Sequence, residues 1–235
     1  MPNSKKVAIL AAMHGEEVYG IELYEEFTRK HPHLASYIAL VIGNKRAVAE
    51  YTRFIDIDMN RAYNNPTPVH ETGEIERVTT ELIEINPDYI LDIHTTRRDS
   101  GVFFITDSLI PTKYTICELL DIDICVMKDE VINSSFIGNN SKAVSLEYSL
   151  KSISKQTTDQ FVERLKQLIE YGTLNTNGYQ RKVYDVQRLI SKSEYKEYSG
   201  LKNHDVRAEG VGLMVPKDAT EMDAEYFGFW CKPVR

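Results

Sequence analysis

Cysteine is scarce in this chain. Three occur in 235 residues, Cys117, Cys125 and Cys231. They are odd in number and scattered, which excludes a disulfide framework or a zinc knot and leaves ordinary reduced thiols. Long apolar runs are missing as well. No stretch approaches the ~20 residues of a membrane helix, and the opening MPNSKK lacks the apolar centre of a secretory signal. There is no basic run: 28 Lys and Arg face 35 Asp and Glu, giving a formal net charge of −7 and a pI near 5.5. Such a balance argues against nucleic acid as a partner. Repeats and low-complexity tracts are also lacking. These absences leave a soluble, cytoplasmic chain with no membrane partner. It is long enough for one substantial core and a small appendage. The oligomeric state stays open.

What is present centres on VAILAAMHGEEVYG, from Val7 to Gly20. Val7 to Ala12 is an apolar run bounded by Lys5-Lys6 and Gly15, the pattern of a strand covered on both faces. His14 and Glu17 follow at its carboxyl end, where open α/β sheets place their ligands. On a tight turn, side chains three apart can reach one point. Imidazole and carboxylate are both zinc ligands. So short a pattern is commonly an ordinary surface loop. A matching element elsewhere gives it weight: Pro87 to Ile93 (PDYILDI) predicts a second short strand, ended by His94-Thr95-Thr96. Two histidines, one glutamate and an open position make a hydrolytic zinc site. Asp92 lies two residues before His94, on the same strand face, where it can accept the other ring N–H of a metal-bound histidine.

The remaining pattern alternates strands and helices. Val18 to Lys30 predicts a helix with Val18, Ile21, Tyr24 and Phe27 as its apolar stripe. His31-Pro32-His33 then reads as a solvated loop. Tyr37 to Ile42 is a strand, and Lys45 to Tyr51 a short helix. Thr52 to Tyr63 (TRFIDIDMNRAY) sets two arginines, two aspartates and an asparagine into the nine positions from Arg53 to Arg61. This is either a charged loop with ion pairs of little energetic value or a pocket for anions and an oxyanion. His70 opens a helix as a surface residue, with Ile75, Val78, Leu82 and Ile85 on one apolar face. Gly101 to Thr106 and Ile122 to Met127 are strands, separated by a helix from Pro111 to Leu120. Ser134 to Lys142 is a polar loop. In Ala143 to Ser149 (AVSLEYS), Val144, Leu146 and Tyr148 share one face and Ala143, Ser145, Glu147 and Ser149 the other. Glu147 on a central strand is costly unless paired. It is a salt-bridged or edge residue, or a general base beside the metal. Thr157 to Tyr171 is a helix, with Thr157 and Gln160 as its capping box and Gly172 as its stop. Leu174 to Gly178 has a linker-like composition. KVYDV, GVGLMVP and YFGFW follow as short strands. The organisation expected is residues 1–175 as the catalytic unit and 176–235 as a small β-rich region.

Taken together, these residues resemble the aspartoacylase and succinylglutamate desuccinylase branch of the zinc carboxypeptidase superfamily. The similarity is carried by His14-Gly15-Glu16-Glu17, by Asp56, Asp58, Asn60 and Arg61 with Arg53 upstream, by Asp92-Ile93-His94-Thr95-Thr96, and by Glu147 on its apolar strand. It runs in order from about Val7 to Ser149. The resemblance implies an α/β fold, a three-layer α/β/α sandwich around a mixed sheet of about eight strands. It implies that His14, Glu17 and His94 hold one zinc ion and that Glu147 acts as base and proton shuttle. Arg53 would polarise the scissile carbonyl and stabilise the oxyanion. Asp58, Asn60 and Arg61 would serve substrate binding, the latter two on a substrate carboxylate, with Tyr226 a further contact from Asp223-Ala224-Glu225-Tyr226-Phe227. The arginine that aspartoacylases place about ten residues before the base has no counterpart at Ser135-Phe136-Ile137-Gly138. That argues against a dicarboxylic substrate unless Arg97 or Arg98 takes over. The function implied is zinc-dependent hydrolysis of an N-acyl amino acid. A carboxypeptidase acting on short peptides or peptidoglycan fragments would use the same groups, and a non-catalytic binding protein with this fold is the third reading.

Overall fold

In a computed structural model the apolar run of the N-terminus forms β1 (Val7–Ala11), with all five residues fully buried. The residues described are 4–64, 67–98, 100–128, 130–174, 181–198, 200–208, 210–213 and 226–234. β1 lies between two parallel partners, β2 (Ile38–Ile42) and β3 (Tyr89–Thr96). A strand with parallel neighbours on both edges and helices on both faces has no wet side, which is why its sequence is apolar throughout. β3 pairs in parallel with β6 (Ala143–Ser149). β4 (Val102–Thr106) then runs antiparallel to β6 and makes the sheet mixed. β5 (Asp123–Val126) and β7 (Val183–Ser191) continue it in parallel. β10 (Tyr226–Pro233), β9 (Gly210–Leu213) and β8 (Val206–Arg207) complete it as antiparallel additions.

The sheet order is β2-β1-β3-β6-β4-β5-β7-β10-β9-β8. Among the described residues it has ten strands where the resemblance implies about eight. The difference lies in the C-terminal region: residues after 176 supply β7 to β10, and these join the same sheet through the β5–β7 pairing.

Helices cover both faces. On one, α1 (Tyr19–Lys30), α4 (Pro111–Cys117) and α6 (Lys155–Tyr171) pack on Val7, Ile9, Leu91, Ile93, Val144 and Leu146. On the other, α3 (His70–Ile85) sets Val78 and Leu82 against Ala8, Leu10 and Ile90. Two shorter helices, α2 (Lys45–Glu50) and α5 (Glu130–Asn133), and a turn of helix at α7 (Tyr195–Tyr198) lie in the connections. Among the described residues no helix is long and apolar enough to cross a membrane. Cys117, Cys125 and Cys231 are all buried free thiols, and burial pushes Cys231 up to about 12.

Three local expectations shift. The buried stripe of α1 is Tyr19, Leu23 and Phe27, at spacing four, with Ile21 and Tyr24 only partly covered. His31 is buried against Phe27 and pairs through Nε2 with Glu163 at 3.2 Å, while His33 is exposed as expected. α6 starts two residues early. Its cap is Ser154, whose Oγ accepts from Thr157 N at 3.2 Å while Ser154 N donates to Thr157 Oγ1 at 2.9 Å. Gly172 ends α6 with φ +69°, as the stop signal predicts.

Candidate active site

β1, β3 and β6 are mutually parallel, so their carboxyl ends share one edge of the sheet. The chain leaves β1 through Ala12, a non-glycine residue at φ +55°. That conformation is rare and costs energy, and it aims the next residues across the strand ends. His14 O accepts from Glu17 N at 2.9 Å, closing a tight turn. Gly15 is required inside it. A Cβ there would stand 2.2 Å from Ala47 C and 2.5 Å from Thr52 O, both backbone atoms. The turn therefore lies flat on the segment that leads to Arg53, and Gly15 N donates to Arg53 O at 3.2 Å.

Three donors converge at this edge. His14 Nδ1 is 2.8 Å from Glu17 Oε1, and His94 Nδ1 is 2.9 Å from Glu17 Oε2. All three residues are buried, with ligand atoms within 4.8 Å of one another. The far side of each imidazole is held by another carboxylate. His14 Nε2 is 3.0 Å from Asp58 Oδ1, and His94 Nε2 is 2.9 Å from Asp92 Oδ2. Ser145 Oγ, the cross-strand partner of Asp92, donates to the same Asp92 oxygen at 2.9 Å.

This pattern tests the fit to zinc. A metal-bound histidine ordinarily gives its other ring N–H to a carboxylate, and both histidines have one in place on the nitrogen facing away from the cluster. Two imidazoles and a carboxylate are also a donor set that zinc takes in hydrolytic sites. The residues present fit the ion.

The electrostatics follow from the same contacts. Burial opposes charge on His14, but Glu17 beside it and hydrogen bonds to Asp58 and Glu17 outweigh that and lift it to about 9. His94 is raised well above the usual imidazole range: burial opposes the charge, and Asp92 and Glu17 overcome it. Glu17 and Asp58 are both held below the ordinary carboxylate range. For Glu17, His14 and His94 prevail over burial; for Asp58, His14 with Arg61 and Arg53 does so.

Glu147 is the register partner of His94 on β6. The two side chains share the sheet face opposite Val144 and Leu146, and Glu147 is half-buried in the wall of the cleft. Arg53 reaches the cluster from the loop after α2: Nη1 is 3.4 Å from Glu17 Oε1 and Nη2 3.3 Å from Asp58 Oδ2. Asn60 and Arg61 line the same cleft from the short helical turn Met59–Arg61. Asp58 caps that turn by accepting from Asn60 N at 2.9 Å, so its carboxylate is shared among His14, Arg53 and the turn. Asn60 Oδ1 accepts from Phe136 N at 3.0 Å, tying the turn to the segment before β6. The side chain of Tyr226 lies outside the described residues, although its backbone opens β10. Arg97 is exposed, and Arg98 is fully buried rather than solvated.

One residue escaped the sequence reading. Glu71, on the first turn of α3, is fully buried and accepts from the backbone N–H groups of Ile55, Asp56 and Ile57 at 2.7 to 3.3 Å and from Asn44 Nδ2 at 3.1 Å. It anchors the loop between Arg53 and Asp58. Its only sequence signal was an acid at a helix start, the commonest place for one.

The mixed α/β sheet is shared with solved structures. The chain superposes on a mutant form of murine aminoacylase 3 with a TM-score of 0.73 at 14% identity, covering 99% of this chain and 95% of that one. It superposes on the succinylglutamate desuccinylase of Chromobacterium violaceum with a TM-score of 0.71, also at 14% identity, covering 99% and 85%. The catalytic-domain model of succinylglutamate desuccinylase/aspartoacylase matches residues 3–159. The chain belongs to this family. Among its relatives is the N-acyl-aromatic-L-amino acid amidohydrolase (carboxylate-forming) B of Danio rerio, 28% identical over 174 residues, with 66% of this chain and 53% of the relative covered. The aspartoacylase of Danio rerio is 32% identical over 126 residues, covering 46% and 39%. The chain spans about half the length of the first of these and less of the second.

Proposed function

We propose that this protein is a zinc-dependent amidohydrolase that cleaves an N-acyl amino acid into a carboxylate and a free amine, with one ion per chain. The observation that carries the reading is the convergence of His14, Glu17 and His94 beside Glu147, its β-ladder neighbour. The names of the relatives, amidohydrolases of N-acyl amino acids and aspartoacylase, support the same class.

His14, Glu17 and His94 would hold the ion. Bound zinc supplies Lewis acidity and makes water a nucleophile near neutral pH. The rest falls to the chain's own groups. Glu147 takes the proton from the attacking water and delivers it to the leaving nitrogen, without which the C–N bond does not break. Arg53 stabilises the negative charge that develops on the carbonyl oxygen. A positioned donor of this kind contributes about 10²–10³ in rate. Asn60 and Arg61 receive the substrate carboxylate, a guanidinium being suited to a two-point grip. Asp58 and Asp92 hold the Nε2 side of His14 and His94, which would leave Nδ1 of each available to an ion. We place the reaction in the cytoplasm, in keeping with the acidic composition and buried thiols.

The cleft beside the cluster has a volume of about 80 Å³ among the described residues. The test is a metal assay with a panel of N-acetyl, N-succinyl and N-formyl amino acids and dipeptides. Free amine released from acyl amino acids but not dipeptides is expected, and the opposite outcome would favour a carboxypeptidase. Glu147→Gln is expected to keep stoichiometric zinc and lose turnover by about 10²-fold or more. Full activity in that variant would remove Glu147 from the role of base.

A further inference from the structure

Each group of the cluster is braced, but not in the same way. Glu17 Oε2 accepts from the backbone N–H of Thr95 at 3.0 Å. Behind His14, Asp58 is fixed from two further sides, by Asn60 N at 2.9 Å and by Arg53 Nη2 at 3.3 Å. Behind His94, Asp92 is held differently. Among the described residues its hydrogen-bond donors are His94 Nε2 and Ser145 Oγ, both on Oδ2 at 2.9 Å. Its other oxygen, Oδ1, is buried with no hydrogen-bond partner among those residues.

The strand ladder accounts for this. Asp92 lies opposite Leu10 on β1 and Ser145 on β6, and Ile90 precedes it on the same face of β3. Leu10 and Ile90 are buried hydrocarbon and offer no donor. A carboxylate with no exposed surface depends on the donors it has, because burial without them is costly. Of its two donors, His94 is the one whose ring has to be aimed. The fixed point is therefore Ser145.

Ser145 is itself confined. It is buried in mid-strand, with Asp92 opposite on β3 and Ile105 opposite on β4. Two residues further along the same face of β6 stands Glu147, opposite His94. One step of the ladder carries the base and a metal-ligand candidate. The step beneath it carries the hydroxyl and the carboxylate.

We infer that Ser145 is a positioning residue: acting through Asp92, its hydroxyl fixes the ring of His94 and so sets both the affinity for zinc and the geometry around the ion. With the hydroxyl on Oδ2, that oxygen is the one turned to the imidazole. Without it, two equivalent buried oxygens compete for His94 Nε2, and the carboxylate is free to rotate between them. The inference rests on the zinc part of the proposed function and not on the substrate.

Ser145→Ala removes the hydroxyl, whereas Ser145→Thr and Ser145→Val match each other in shape and differ in having it. The full chain carrying each change is titrated with zinc against a chromophoric chelator. It is also loaded with cobalt, whose visible spectrum reports the arrangement of ligands. Zinc affinity is expected to fall about tenfold in Ser145→Ala, and to be about tenfold weaker in Ser145→Val than in Ser145→Thr. The cobalt bands should move in Ser145→Ala and Ser145→Val and stay in place in Ser145→Thr. In an Asp92→Asn background, Ser145→Ala should add less than about a twofold loss, because it acts through that carboxylate. Wild-type zinc affinity with an unmoved cobalt spectrum in Ser145→Ala overturns the inference. So does a loss that adds in full to that of Asp92→Asn. If Ser145→Ala does not fold, equal affinities in Ser145→Thr and Ser145→Val overturn it. A wild-type chain that binds zinc but hydrolyses no N-acyl amino acid overturns the amidohydrolase reading instead, while the expected zinc and cobalt results still support the role of Ser145.

Discussion

Replacing Glu71 tests whether one carboxylate far from the chemistry holds the site together. Its two oxygens take four donors: three consecutive backbone N–H groups, of Ile55, Asp56 and Ile57, and the amide of Asn44. Arg53 stands just before this loop and Asp58 just after it. In Glu71→Ala the carboxylate is gone and the N–H groups must turn to water or go unpaired. Hydrogen bonds to a charged group contribute about 1.5–3 kcal/mol each, and orphaned donors cost a similar amount. These terms are not additive within one network, and breaking a buried charged network costs about 3–5 kcal/mol in all. For a chain of this size that lowers Tm by roughly 6–20 °C, measurable by circular dichroism. Stability alone would not separate a scaffold from a positioning role. The sharper readout is zinc affinity at about 25 °C, where the variant is still folded. A loosened Asp58 no longer braces His14, and loss of such a partner weakens metal binding about 10–100-fold. Glu71→Gln keeps the volume but turns an N–H toward the same donors, so it should show both losses in milder form. A Tm within about 2 °C of wild type with unchanged zinc affinity would refute the reasoning.

The parts of the site that the sequence made legible are those where one local signal suffices. β1 and β3 are buried on both faces, so their apolar runs stand out, and His14 and His94 are conspicuous because they end those runs. Glu147 was visible through alternation: Val144, Leu146 and Tyr148 pack into one core, which fixes the other face for Ser145 and Glu147. What stayed hidden depends on long-range contacts. Glu71 looks like any acid at a helix start until Ile55 to Ile57 fold over it. Asp58 looks like a substrate-binding residue by motif, and only the fold reveals that it also stands 3.0 Å from His14 Nε2. The early start of α6 was missed because Ser154 and Thr157 both suit a helix start, and the hydrogen-bond pairing, not the residue type, decides between them. Edge strands such as β8, two residues long and exposed, have no core to imprint a pattern on their sequence.

Three further outcomes are expected. Gly15→Ala forces a Cβ to within 2.2 Å of Ala47 C and 2.3 Å of Ala47 O. Neither backbone atom can move aside, so a loss of several kcal/mol is expected, on the order of 3, read as a fall in Tm together with weaker zinc binding; a neutral substitution would mean that the turn does not lie on this segment. Asp92→Asn keeps the shape but removes the charge that faces His94 Nε2. Zinc affinity should fall about 10–100-fold, and competition with a chromophoric chelator measures it. The last expectation concerns pH and follows from linkage. With the metal removed by chelation, His14 is raised to about 9 by Glu17 and Asp58 against the opposition of burial, whereas an unfolded histidine titrates near ~6.5. A group whose folded pKa is raised adds stability that is fully present below its unfolded pKa and is lost as pH climbs through the folded one. The chelated protein should therefore lose stability progressively between about pH 6.5 and 9. His94, raised for the same kind of reason, adds to the slope. Zinc competes for these same nitrogens, so saturating metal should flatten the dependence, because the ligands must be unprotonated to bind. Urea midpoints across this pH range, with and without zinc, measure both curves. A chelated protein whose midpoint stays level or rises with pH would show that Glu17, Asp58 and Asp92 do not hold the two imidazoles as described.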